Sequence, residues 1–295
     1  MVALALDIGG TKIAAGVAEA DGTVPRPATT PTPRSGVWDA CAALLREVVG
    51  SAPVTSVGIA SAGPVDAAAG MVWPINIDEW SGGFELAGAV QTLFPGASTQ
   101  LALDGAAAAL GEYHHGAGRG TPDLLSLVVS TGIGGGVVLG GHITAGRTGN
   151  AGHIGHIVVP GGTDPCTCGG IGCLETVASG PSSVRWARAN GWRGSTGVEL
   201  AKAAASGDAV ALAALDRAGT ALGQAIASAA AIIDVDLAVI GGGFAHAGPP
   251  LWDPLRGAAE RHARLSFVSN LRVVPAQLGA SGTLVGAGGL AVYGS

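Results

Sequence analysis

The sequence predicts an α/β fold made of two related lobes. Three observations lead there. Short apolar strand patterns alternate with segments of helical spacing along the chain, which marks the α/β class. Two strand–glycine–strand units, Leu4–Val17 and Leu125–Leu139, echo each other from far apart in the chain. With 295 residues, 48 % hydrophobic and only 12 % charged, the chain can bury a core in each of two lobes.

The elements follow in order. Val2–Leu6 is a short apolar strand, Asp7–Lys12 a glycine turn, and a second strand runs on to Val17. Asp21-Gly22 is a turn signal. Residues 25–36, rich in Pro and Thr, predict a loop, and Trp38–Val49 has helical spacing. Val54–Ala60 is a strand that ends in the turn Ser61–Pro64. Asp104–His115 is a helix with Asp104 as its N-cap. Leu124–Gly141 is apolar enough to resemble a membrane span, but its glycines and β-branched residues predict two buried strands about a turn. Residues 146–175 are loop-like, Ser182–Ile233 is mainly helical behind Pro181, Leu237–Ile240 is a buried strand, and a last helix covers about Gly282–Val292.

Composition narrows the function classes. The net charge is −6 and no run of Lys or Arg occurs, so no nucleic-acid footprint is present. An aspartate already at position 7 argues against an export signal, so a cytoplasmic location is expected. Three of the four cysteines, Cys166, Cys168 and Cys173, fall within eight residues. In a reducing setting such a cluster with His156 offers three thiolates and one imidazole, a closed set suited to structural zinc. The alternative is buried or redox-active cysteines. Cys41 stands apart and is expected to be a small core residue.

Three glycine turns could cradle phosphate, because glycine lets backbone N–H groups approach an anion. They are Asp7–Lys12 (with Gly9, Gly10, Thr11 and Lys12), Thr131–Gly136 (with Gly132 and Gly134) and Gly241–Gly243. None fits a Walker A loop or a dinucleotide fingerprint. Alone, each reads rather as a tight hairpin in a glycine-rich chain. Asp7 beside the first turn could hold Mg²⁺ through water, or simply form the turn.

Taken together, Leu6–Lys12, Ala62–Asp66, Ser130–Gly136, Gly155-His156 with Cys166–Glu175, and Val239–Gly243 resemble the ROK family of sugar kinases and repressors across nearly the whole chain. The resemblance implies the two-lobed actin-like, hexokinase-like ATPase architecture. It implies a smaller lobe of residues 1–105 plus 281–295 and a larger lobe, 106–280, carrying the zinc loop. ATP would lie between the lobes with the sugar deep in the cleft, and a homodimer is expected. Repressor members carry a DNA-binding region before the first phosphate loop, and a loop starting at residue 7 leaves no room for one.

The resemblance also assigns roles. Asp104 is the catalytic carboxylate that orients and deprotonates a sugar 6-hydroxyl. Gly63, Leu103, His153, His156 and Glu175 contact the sugar. Gly242 and Gly243 belong to the adenine side. His156 serves zinc with one ring nitrogen and the sugar with the other. Two positions depart from the pattern: Leu103 stands where glucokinase-like members have Asn, and His153 where they have Glu. Both meet the region around O3 of the sugar. The expected substrates are therefore glucose and, equally, a 3-amino-3-deoxyglucose (kanosamine). N-acetylmannosamine, or a non-catalytic sugar-responsive regulator, are the alternatives.

Overall fold

The computed structural model describes residues 1–294. Its first elements are β1 Val2–Ile8, β2 Lys12–Ala18, β3 Ala28–Pro31, α1 Val37–Val49, β4 Val54–Ser61, β5 Val65–Asp66, β6 Met71–Val72, β7 Phe84–Glu85, α2 Leu86–Leu93, β8 Ser98–Leu103 and α3 Asp104–His115. Then follow β9 Leu124–Val129, β10 Ile133–Leu139, β11 His142–Ile143, α4 Leu174–Ala178, α5 Gly180–Ala189, α6 Gly197–Ala205, α7 Ala209–Ile233, β12 Leu237–Gly241, α8 Pro249–His262, β13 Arg272–Pro275 and α9 Gly282–Tyr293.

The chain forms two compact units. The first holds Met1–Pro122, Gly136–Gly152 and the residues from Leu278 onward; the second holds Asp123–Gly135 and His153–Gln277. The boundary expected after residue 105 falls inside α3. Packing moves it. Gly136 lies against the backbone of Gly105 and Ala106, where a Cβ would come within 2.5 Å. The Asn150 side-chain amide donates to the Val65 carbonyl at 2.6 Å and accepts from the Val65 N–H at 2.9 Å. Leu278 N–H donates to Glu112 Oε1 at 2.8 Å.

In the first unit the strand order is β3-β2-β1-β4-β8. β1 is antiparallel to β2 and parallel to β4, and β4 is parallel to β8. Alternation along β1 sorts its side chains by size. Leu4, Leu6 and Ile8 enter a large apolar cluster with Val37, Cys41 and Leu45 of α1. Ala5 enters a cluster of small residues with Ala107 of α3 and Leu284 and Ala287 of α9. Glycine makes that side closer still: a Cβ on Gly58 of β4 would strike the Ala287 carbonyl, and one on Gly286 the Ala107 carbonyl. The Gly and Ala content thus has a structural use, helices seated directly on a sheet. Residues 25–36 are not all loop, since β3 pairs antiparallel with β2 at the sheet edge. Pro31 is tolerated there because an edge strand can lack a donor.

In the second unit β12 runs parallel to both β9 and β13. β9 and β10 are the two strands expected for Leu124–Gly141, and no described helix is long and apolar enough to cross a membrane. The helical stretch from Ser182 divides into α5, α6 and α7, each started by a side-chain cap. Ser179 caps α5 and Pro181 sits in its first turn. Thr196 and Glu199 form a capping box on α6, and Asp208 caps α7.

Candidate active site

Within the first unit, β1, β4 and β8 end at the same edge of the sheet. Asp7 pairs in register with Ala60, and Ala60 with Ala102. Asp7 and the start of α3 therefore flank β4, two strand spacings or about 10 Å apart. Asp104 is the first helical residue rather than the N-cap, which is Leu103. Its Oδ1 accepts from the Gly105 N–H at 2.6 Å. Burial pushes the Asp104 carboxyl above its ordinary range, against the pull of that hydrogen bond. Asp7 is pushed up to about 7, by burial first and by the charge of Asp104 second, with Lys12 opposing.

The first glycine turn closes as a hairpin, with Gly9 N–H donating to the Lys12 carbonyl at 3.0 Å. Thr32 Oγ1 donates to the Gly9 carbonyl at 2.6 Å, while Thr11 and Lys12 are exposed. Gly10 fits only as glycine, since a Cβ would lie 2.7 Å from the Asn76 side chain. Gly63 follows β4, and its carbonyl accepts from Ile75 N–H at 3.3 Å. Leu103 is 2 % exposed and lies in the apolar cluster with Leu101 and Ala106. Its side chain packs in the core.

Within the second unit the other two turns come together. Ser130 N–H donates to the Gly132 carbonyl at 2.8 Å, closing the turn between β9 and β10. Gly242, at φ 91°, lies on the backbone of Val129, and a Cβ on Gly243 would sit 3.8 Å from Ser130 Oγ. Beside them is a cavity of about 900 Å³ lined by Ser130, Thr131, Gly180, Gly243 and Phe244. Gly134 has open space around it. Arg185, Arg188 and Lys202 also line the cavity, and no carboxylate does among the described residues. The size suits a nucleotide and the charge suits its phosphates. Sequence reasoning missed these cations and Phe244. They lie on helices and a loop with no motif, and only folding gathers them.

The zinc-loop residues and the turn meet in the same unit. Gly155 packs on the Ile133 carbonyl, which brings His156 beside the turn. Ile133 N–H donates to Glu175 Oε2 at 2.8 Å. The ligand atoms of His156, Cys166, Cys168 and Cys173 all lie within 4.8 Å of one another. Cys168 Sγ is 3.7 Å from Cys173 Sγ, and Cys166 Sγ is 3.8 Å from His156 Nδ1. Tetrahedral zinc with Zn–S bonds of about 2.3 Å requires sulfurs about 3.8 Å apart, so the donor set fits that ion. Burial and the adjacent sulfurs push the Cys173 thiol up to about 12, a penalty that a bound cation reverses. Cys41, by contrast, is wholly buried with its thiol also pushed up to about 12, the inert core cysteine expected. His153 has its ring 5.8 Å from that of His156. Burial, and secondarily His156, lowers its pKa below the ordinary 6.5.

Parallel strands ending in buried carboxylates, with glycine turns in both units, define a mixed α/β protein of the actin-like, hexokinase-like ATPase class. The solved ROK family glucokinase of Streptomyces griseus, in complex with glucose and AMPPNP, has this fold. It superposes with a TM-score of 0.81 at 34 % identity, over 99 % of each chain. The chain belongs to the ROK family, whose model matches residues 3–293. It is 33 % identical to a glucokinase of Thermotoga maritima, over 96 % of this chain and 95 % of that one. It is 35 % identical to a kanosamine kinase of Amycolatopsis mediterranei, over 98 % and 95 %.

Proposed function

We propose that the chain is an ATP-dependent sugar kinase that moves the γ-phosphoryl group to the 6-hydroxyl of a hexose or amino-hexose. The observation that carries this reading is the pair Asp7 and Asp104. Two partly buried carboxylates with raised pKa end parallel strands of one sheet, where a proton acceptor and a cation holder are needed. Asp104 orients the hydroxyl and takes its proton as the O6–P bond forms and the bond from the γ-phosphorus to the bridging oxygen of ADP breaks. The charge of Asp104 adds to burial in raising the Asp7 carboxyl, and a divalent cation would relieve that repulsion, so Asp7 fits Mg²⁺, which would neutralise phosphate charge. The cavity of the second unit takes the nucleotide, with Thr131, Gly132, Gly242 and Gly243 toward its phosphates and adenosine. His156, Glu175 and His153 position the sugar ring.

Glucose and 3-amino-3-deoxyglucose are equal first candidates. His153 is neutral at pH 7 because burial lowers its pKa, so its ring can accept from an ammonium. The relatives named glucokinase and kanosamine kinase support both sugars. The test is ADP release from Mg·ATP with purified protein and a panel of glucose, mannose, glucosamine, N-acetylmannosamine and 3-aminoglucose. The reading expects turnover of at least one hexose and its loss in Asp104→Ala with fold and zinc content retained. Undiminished turnover in Asp104→Ala, or no ADP release with any sugar, would overturn it.

A further inference from the structure

Glu175 reaches out of the zinc-loop segment to the backbone of the glycine turn. Its Oε2 accepts from the Ile133 N–H at 2.8 Å, and the same oxygen lies 2.5 Å from where a Cβ on Gly132 would sit. The turn therefore closes around the carboxylate. Its far side is held too, since Gly180 N–H donates to the Ser130 carbonyl at 3.0 Å. Ser130 and Thr131 between these two anchors line the nucleotide cavity. Glu175 lies in the first turn of α4, two residues after its N-cap Cys173, so its backbone is set by the segment that carries the cysteines.

We infer that Glu175 is a positioning residue of the phosphoryl-donor site, distinct from any contact with sugar. By accepting from Ile133 it fixes the path of residues 130–133, and with it the backbone that faces the nucleotide phosphates. A charged acceptor on a backbone N–H is a strong hydrogen bond, and losing it frees a glycine-containing turn to sample other conformations. The inference rests on the kinase reading for its ligand but not for its geometry.

Sugar-free nucleotide binding tests it, because a residue that only touches sugar leaves that quantity unchanged. Calorimetric titration of the whole zinc-loaded protein with Mg²⁺ and a non-hydrolysable ATP analogue should show affinity about tenfold weaker in Glu175→Ala. Glu175→Gln keeps an acceptor oxygen and should stay within about threefold of wild type. Gly132→Ala should weaken binding in the wild-type background, by displacing the carboxylate, and weaken it much less when combined with Glu175→Ala. Melting temperature and zinc content identify any variant that fails to fold, and the Gln variant then decides. Wild-type affinity in Glu175→Ala, or fully additive losses in the double variant, would overturn the inference while leaving the kinase reading intact. A wild-type protein that binds no nucleotide would overturn the kinase reading and this inference together.

Discussion

At the scale of single residues, the two raised carboxylates set a conflict between stability and activity. A carboxyl whose folded pKa exceeds its unfolded value binds its proton more tightly in the folded state. Between those two values stability falls as pH rises. Asp7, lifted from 3.8 to about 7, therefore costs the ligand-free protein stability above neutrality, and Asp104, which burial also raises, acts in the same direction. Asp104→Asn should accordingly raise the melting temperature at pH 8 by about 2–4 °C and leave it nearly unchanged at pH 4. Equal shifts at both pH values in a thermal melt would deny the mechanism. Activity should run the other way. With Asp7 pushed up to about 7, kcat/KM should drop on the acid side near pH 7, well above an ordinary carboxylate. A pH–rate profile flat down to pH 5 would contradict this. Asp7 stood out in the sequence beside a glycine turn, whereas Asp104 stood out locally only as a helix start and drew its catalytic role from the family resemblance. Leu103 was placed by the family position of an Asn, and what that position could not show is that its own apolar side chain packs in the core.

At the scale of elements, the zinc segment and the helix–sheet contacts make separate demands. His156, Cys166, Cys168 and Cys173 gather their ligand atoms within 4.8 Å in a loop otherwise rich in glycine, a set that zinc would cross-link. Cys168→Ser, or a strong chelator at pH 7, should release about one equivalent of zinc and loosen that loop, read by metal assay and limited proteolysis. Loss of proteolytic protection should cover residues 157–173 while unit 1 stays protected. The close contacts obey steric rules instead. Gly286→Ala should destabilise by about 1–3 kcal/mol in denaturant unfolding, because its Cβ meets the Ala107 carbonyl. Gly50 has open space, but its φ of 57° makes it a poorer control than Gly82, which has open space and no such φ; Gly82→Ala should be near neutral. Periodicity foretold α1, α3, α9 and the paired strands. It missed β3, because a four-residue edge strand in a Pro-Thr stretch carries too short a pattern to separate from loop.

At the scale of the molecule, the two strand–glycine–strand units were visible as an echo in sequence, and each opens one of the observed sheets. The division between the units was harder to read. It depends on which backbone Gly136, Asn150 and Leu278 rest against, and no local propensity records that. The cationic lining of the second unit's cavity was hidden for a related reason. Arg185, Arg188 and Lys202 are spread over two helices in a chain whose net charge is −6, so no run of basic residues announces them.

The seat of α9 against β4 and α3 has a consequence for biosynthesis. Ala5 and Ala14 of β1 and β2 share their small-residue cluster with Leu284 and Ala287, which are made long after them. Unit 2, whose residues all precede Leu278, can close while the N-terminal sheet still waits with that face uncovered. Nascent chains arrested after residue 277 should therefore resist protease across unit 2 yet be cut within residues 1–122, and extension through α9 should remove that sensitivity.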